Sequence, residues 1–326
     1  MRGIVSAKPA TMISLAAISR TPYRSGTKNQ MACALRYTAA MNAAADHALQ
    51  RDAVCAGWSG ELSLGYERRG GRTVLARRLH RGPLVVQKSL YPEDDALCQN
   101  IVVHPPAGIV GGDRLALDVS VLALAQAQLT TPGAAKWYRS AGAPAQQRLA
   151  FAIGSQALLE WLPQESIVFD GAIAELGTRI VLQRDAAFIG WDIVCLGRRH
   201  AGEEFRHGRM RQEVVILRDG TRQWIERSLI AGGASLMSAQ VGLNRQPVFG
   251  TFLAAAPQVP EHLIAACREV TCEDGESAVT RLPGLLIARY RGASAEAARH
   301  YFALLWGRAR PALTGREAVL PRIWNT

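Results

Sequence analysis

Three observations predict a mainly β chain, a layered, solenoid-like sheet scaffold with about two α-helices near its C-terminus. Short alternating apolar runs begin near Trp58. In the middle of the chain, similar residues recur at a spacing of about 30, within the range of stacked repeat units. Helical spacing of apolar residues is confined to the stretch after Pro260.

The first strand is predicted over residues 61–67, where Leu62, Leu64 and Tyr66 share one face. Gly70-Gly71 then turns the chain into Thr73-Val74-Leu75 as a hairpin. Leu84-Val85-Val86 reads as a further strand after Gly82-Pro83. The repeat aligns Val121, Phe151 and Val181, then Ala127, Ala157 and Ala187, then Leu129, Leu159 and Ile189. Each unit reads as strand, short turn, strand, so residues 115–195 are predicted to form stacked β units covering one another's apolar edges. Pro260-Glu261 opens a helix with Leu263, Ile264 and Cys267 on one face. Ser294 is a natural N-cap for a second, in which Ala298, Tyr301, Phe302 and Leu305 follow at helical spacing. Arg308 and Arg310 suit the negative helix end, and Pro311 is expected to stop it.

With 48% hydrophobic and 20% charged residues over 326 positions, the chain can bury a sizeable core. The net charge of +11 is uneven, because Arg2, Lys8, Arg20, Arg24, Lys28 and Arg36 face only Asp46 in the first 50 residues. Only Lys8, Lys28, Lys88 and Lys136 are lysines, an arginine bias that tracks composition rather than partners. No basic cluster is interleaved with aromatics, so nucleic-acid binding is not expected. Six scattered cysteines (Cys33, Cys55, Cys98, Cys195, Cys267, Cys272) lack paired spacing and read as unpaired thiols. No run approaches the ~20 apolar residues of a membrane span. Residues 12–18 faintly resemble a signal segment, and the Arg- and Ser-rich, acid-poor start a transit peptide. The preferred expectation is a cytoplasmic protein in which residues 1–52 are a disordered extension, or follow an upstream start, and 53–326 form one β scaffold domain.

No nucleophile elbow, phosphate loop, zinc-protease motif or dinucleotide fingerprint is present. The segment His104-Pro105-Pro106-Ala107-Gly108-Ile109-Val110-Gly111-Gly112-Asp113 is unusual, fixing one His and one Asp on a stiff loop.

At this loop a family resemblance becomes specific. Gly82-Pro83-Leu84-Val85-Val86-Gln87-Lys88, the His104 to Asp113 loop, Lys136-Trp137-Tyr138-Arg139-Ser140, Leu159-Glu160-Trp161-Leu162-Pro163-Gln164-Glu165 and Trp191-Asp192-Ile193-Val194-Cys195-Leu196-Gly197-Arg198 occur in the order seen in UreD (UreH) urease accessory proteins. Arg310-Pro311-Ala312-Leu313-Thr314-Gly315-Arg316 and Pro321-Arg322-Ile323-Trp324 resemble the family's C-terminus. The likeness runs from about Gly57 to the end. It implies a non-catalytic scaffold that binds apo-urease and UreF, with UreG held through UreF, and a homodimer within the accessory complex as one arrangement. It also implies no tightly bound cofactor, nickel in transit through an internal passage, and a role in that passage for Asp113, Asp192 and Glu226.

Physical chemistry weighs these residues separately. Carboxylates in series raise local cation concentration without trapping the ion. Asp192, between Trp191 and Ile193, needs an arginine or a wet cavity. Asp113 has the stronger case because its loop is rigid, and Glu226, beside Arg227, the weaker. His104 is a further candidate for the passage, although a lone His before Pro-Pro is more often structural. Glu203-Glu204 with His207 reads as a solvated loop before a nickel site. The alternative class is a β-solenoid hydrolase using Asp113 and Asp192, or Glu160 and Glu165, as an acid/base pair. Aromatic residues of the last helix and tail, Tyr301, Phe302, Trp306 and Trp324, are candidates for partner binding. Deleting residues 1–50 should leave urease activation intact, since they lie outside the resemblance and lack periodic apolar faces. Loss of activation with the remainder still soluble would contradict this.

Overall fold

The computed structural model describes residues 57–325. Leu62, Leu64 and Tyr66 fall on one face of β1 (Ser59–Arg69) and are all buried. Gly70, with a φ of +57°, turns the chain into the antiparallel β2 (Arg72–Arg81). β2 forms a sheet edge whose exposed Arg78, His80 and Arg81 discourage further pairing. Next come β3 (Val85–Val86), β4 (Leu97–Val103) and the two-residue β5 (Gly108–Ile109).

Three coils follow. The first contains β6 (Arg114–Val121), β7 (Gln126–Thr130) and the short β8 (Ala135–Trp137). The second contains β9 (Ala145–Ile153), β10 (Leu158–Leu162) and β11 (Ser166–Val168), and the third β12 (Ile173–Leu182) and β13 (Ala187–Leu196). First strands pair in parallel, β6 with β9 and β9 with β12. Second strands do the same, β7 with β10 and β10 with β13. Each coil therefore contributes one long strand to each of two facing sheets, and the first two add a short strand, β8 or β11, to the larger sheet, the arrangement of a β-solenoid.

β14 (Arg209–Arg218) extends β12 in parallel and returns as the antiparallel β15 (Thr221–Ala231). After the single-turn α1 (Ser235–Ser238), β16 (Val248–Ala255) pairs with β13. Helix α2 (Glu261–Arg268), the hairpin β17 (Glu276–Leu282) and β18 (Leu285–Gly292), and helix α3 (Ala295–Thr314) come next. The seven-stranded sheet runs β15-β14-β12-β9-β6-β1-β2. The eleven-stranded sheet runs β17-β18-β16-β13-β10-β7-β4-β3, with β5, β8 and β11 beside this path. The main core lies between the sheets, and a second core joins the outer face of the larger sheet to α2 and α3. No helix among the described residues is long and apolar enough to cross a membrane.

The stacked units are present, and Phe151 and Val181 lie on adjacent parallel strands, but the columns slip by one or two residues. Phe151 pairs with Val119 and Ile180, steps of 32 and 29 residues. Leu159 pairs with Ala127 and Phe188. The turns 122–125, 154–157 and 183–186 are equal in length, whereas the return from β7 to β9 is longer than that from β10 to β12. The expectation for residues 1–52 falls outside the described residues, as do Cys33 and Cys55.

Two expectations for α3 need correction. Pro311 lies inside the helix, which ends at Gly315 in the left-handed conformation, where the Gly315 N–H donates to the Pro311 carbonyl at 2.9 Å. Tyr301, Phe302 and Trp306 are buried, so in the folded chain they form core rather than a partner surface. Phe302 packs on Trp191 at 6.4 Å between ring centroids, and Trp324, partly buried, on Trp191 at 5.6 Å. Their helical spacing marked the buried face of α3, because aromatics on the inward stripe of a surface helix fill core before they meet partners. The N-cap expectation holds, with Ser294 Oγ accepting from the Ala297 N–H at 3.1 Å.

Arg310, expected to complement the negative end of the helix, is fully buried against Glu160, itself fully buried. Glu160 Oε1 accepts from Arg310 Nε at 2.9 Å and from Trp306 Nε1 at 2.8 Å. Its Oε2 accepts from Gln128 Nε2 at 2.8 Å. Arg310 Nη2 also donates to Glu93 Oε1 at 3.0 Å. Burial pushes the Glu160 carboxyl up, while Arg310, Trp306 and Gln128 pull it down. Arg310→Ala should lower the unfolding free energy by about 3–5 kcal/mol, the cost of stranding a buried charge. A Glu160→Gln/Arg310→Met double substitution should recover most of that loss in denaturant titration.

Candidate functional site

A parallel ladder stops where a strand lacks an N–H, and prolines impose such a stop three times. Pro105 and Pro106 separate β4 from β5, Pro132 separates β7 from β8, and Pro163 separates β10 from β11. The larger sheet is thereby split along a seam crossed by the continuous β13. β10 pairs with β13 up to Gly190, and β11 resumes at Val194. Trp191, Asp192 and Ile193 face the gap, and Trp191 Nε1 donates across it to the Pro163 carbonyl at 2.9 Å.

Behind the seam, between the two sheets, lies a cavity of about 230 Å³. Its middle is apolar, walled by residues such as Leu117, Leu149, Trp161, Ile180 and Phe188. At the β4 end of the seam it is bordered by His104 and Lys136, and along the seam by Gln164 and the exposed Pro132 and Gly133. Its other end is polar. Asp192 on β13, Thr251 on β16 and Arg289 on β18 form one cross-strand row, so their side chains leave the same face. Opposite them stand Gln212 on β14 and Glu226 on β15. All of these except Arg289 line the cavity.

The Asp192 carboxylate accepts a hydrogen bond from the Gln212 amide across the sheets. Asp192 lies deep in the molecule yet keeps some water-accessible surface, as a side chain bordering an internal cavity does. Burial, reinforced by the Glu226 charge, pushes its pKa up to about 6. Glu226 Oε1 accepts from Arg289 Nη1 at 2.6 Å, while its buried Oε2 has no hydrogen-bond partner among the described residues. At the β4 end of the seam, burial lowers the His104 pKa against the pull of Asp113.

Asp113 is placed differently. It does not line the cavity, and its carboxylate is taken up by backbone, with Oδ1 accepting from the Trp58 N–H at 2.8 Å and Oδ2 from the Val110 N–H at 2.9 Å. Of the four residues singled out for the passage, the fold thus brings Asp192 and Glu226 together, sets His104 at the seam and uses Asp113 to lock the loop. Gln212, Thr251 and Arg289 carried no sequence signal, whereas Lys136 opens one of the motifs that carry the resemblance. Arg289 meets Glu226 across 63 residues, beyond any local pattern.

The remaining candidates are occupied by structural contacts. Glu165 pairs with Arg299 at 2.9 Å and Glu160 is sealed by Arg310, which leaves the hydrolase alternative without its carboxylate pair. Glu203 pairs with Arg198 and Glu204 with Arg206, and the His207 ring lies 3.1 Å from Asp170. Despite burial, hydrogen bonds from His207 and Arg206 hold Asp170 down to about 2. Among the described residues no three His, Cys, Asp or Glu side chains converge on a metal position. Cys98, Cys195, Cys267 and Cys272 are free thiols, and burial pushes Cys195 and Cys267 up to about 11.

These features define a class: a β-solenoid scaffold organised around an internal cavity with a carboxylate-bearing end. Residues 59–325 match the family described as UreD urease accessory protein, and the chain belongs to that family. It is similar to the urease accessory protein UreD of Azoarcus sp. (strain BH72), 53% identical over 290 residues, covering 88% of this chain and 100% of the relative. It is similar also to the UreD proteins of Dechloromonas aromatica (strain RCB), 53% identical over 82% of this chain and 95% of the relative, and of Nitrosococcus oceani, 47% identical over 82% and 90%. The chain is accordingly an accessory factor of urease maturation, not an enzyme.

The geometry predicts opposite stability effects for two aspartates. An unfolded Asp titrates near 3.9, so the raised Asp192 pKa contributes stability below about pH 4 that is lost as pH rises through about 6. Asp192→Asn should therefore stabilise the isolated chain at pH 7–8 by about 1–3 kcal/mol and flatten its pH profile between those limits. Asp113→Ala should destabilise it by about 2–5 kcal/mol, the cost of two charge-assisted hydrogen bonds. Denaturant midpoints across pH read both effects.

Proposed function

We propose that this chain conducts nickel through the cavity between its sheets to apo-urease. UreF binds a second surface and UreG joins through UreF. The observation that carries the reading is the carboxylate pair at the polar end. Asp192 is held where ionisation is costly, and Glu226 turns an unpartnered oxygen inward. Structure alone gains nothing from that arrangement, whereas a cation between the two carboxylates offsets the cost of both. Nickel(II) accepts carboxylate and imidazole ligands, so His104 at the seam and the Asp192–Glu226 pair at the far end provide weak stations at either side of an apolar middle. Weak stations suit a cargo that has to leave again, and nickel here is passed on rather than kept as a cofactor. Lys136, at the seam end, opposes uncontrolled entry of cations by its charge.

With Tyr301, Phe302 and Trp306 buried, the apolar surface offered to partners is the outer side of α3 and the tail, where Leu304, Val319 and Leu320 are exposed and Trp324 is partly so. We place the assembly in the cytoplasm, with pairing of two copies inside the accessory complex as one form of it.

Asp192→Asn, co-expressed with urease and the other accessory proteins, should leave the complex assembled on size exclusion and reduce the nickel content of purified urease several-fold. Normal nickel content in an assembled complex would refute conduction through this end. Because protons compete for Asp192, loading in a purified system should fall steeply as pH drops below about 6, and the Asn variant should lose that dependence.

A further inference from the structure

We propose that Arg289 sets the cation selectivity of the cavity at its Glu226 end, its guanidinium standing as a resident counter-ion that a passing metal has to displace. The proposal rests on the conduction reading above and adds a residue which that reading does not contain. Arg289 shares the cross-strand row of Asp192 and Thr251, so its side chain leaves the cavity face of the larger sheet. It then crosses to the smaller sheet, where Nη1 meets Glu226 Oε1 at 2.6 Å. Its neighbours in register, Thr251 and Ala278, offer it no carboxylate.

The two partners sit in different surroundings. The Arg289 side chain is 48% exposed and that of Glu226 23%, so the pair spans the rim, with the cation outside and the carboxylate turned inward. Glu226 lines the cavity and Arg289 does not. One Glu226 oxygen is engaged, and the other is buried without a hydrogen-bond partner among the described residues, which leaves it to a second cation. A half-exposed ion pair is weak enough to exchange. Hydrated alkali ions gain little from a carboxylate already neutralised by arginine. A divalent metal that binds Asp192 and Glu226 together gains two anionic ligands at once and can displace the guanidinium. The arginine thus raises the threshold for every cation and raises it least for those that ligate strongly.

The test is urease maturation in cells carrying the full accessory set, with Arg289→Gln and Arg289→Met, over a series of nickel concentrations with and without added zinc. The metal content of purified urease is the readout. The nickel concentration for half-loading should fall by about two- to fivefold, the factor a partly exposed ion pair is worth, and zinc should compete more strongly. Arg289→Lys, which keeps the charge, should restore resistance to zinc. Unchanged half-loading and zinc competition would overturn the proposal, as would a uniform loss of loading at every nickel concentration. Failure of both neutral variants to assemble would mark the pair as structural and overturn it equally. Asp192→Asn is measured alongside. If that variant loads normally, conduction fails and the selectivity role with it. If it loads poorly while both neutral Arg289 variants match the wild type, only the selectivity role falls.

Discussion

A parallel ladder continues only while each strand offers an N–H to its neighbour, and Pro105, Pro106, Pro132 and Pro163 withdraw theirs. Because β4, β7 and β10 pair side by side in parallel, the withdrawals also fall side by side, and isolated breaks become one seam. Most of the candidate site follows from this. The seam exposes the inner side of β13 at Asp192, keeps the sheets from closing over the cavity and leaves the Pro163 carbonyl for Trp191. A solenoid of uninterrupted coils would fill the same space with side chains.

Interrupting a sheet costs backbone pairing, and the fold offsets that cost on the outer face. Helix α3 lies there against β13, β16 and β18, fixed by the sealed Glu160–Arg310 contact and by the aromatic group of Trp191, Phe252, Phe302 and Trp324. Since Glu160 belongs to β10 beside the seam, the helix is tied to the strand the break would otherwise loosen. Arginine suits the position because its planar fork reaches Glu160, Glu93 and the Glu317 carbonyl together, which an ammonium could not do with the same geometry.

Local periodicity carried most of the fold. The alternation of Leu62, Leu64 and Tyr66, the Ser294 cap and the helical spacing after it are short-range signals, and each matches an element. The repeat was legible as a period but not as a register, because the returns between coils differ in length and Ala and Leu recur often enough to align one or two residues off. The same helical spacing misled about surfaces, since an apolar face shows that Tyr301, Phe302 and Trp306 are covered without showing what covers them. At the site, Asp192 stood out as a carboxylate in an apolar strand, whereas Glu226 acquires its meaning only from Arg289 and Asp192, brought near by sheet topology. Asp113 illustrates the reverse. A stiff loop around a carboxylate looks like a prepared ligand, but that carboxylate is spent on backbone N–H groups, Val110 in the loop and Trp58 beside it.

The unequal returns between coils have an evolutionary consequence. β13 holds the two halves of the larger sheet together across the seam, so residues can be gained or lost at 131–134 or 163–165 without disturbing either half. The seam behaves as an expansion joint. The four-residue turns at 122–125, 154–157 and 183–186 have no such slack, because dropping one residue there would exchange the inward and outward side chains of the following strand. Length variation in chains of this architecture should therefore gather on the proline side of the first two coils, where it reshapes the mouth of the cavity and spares its walls.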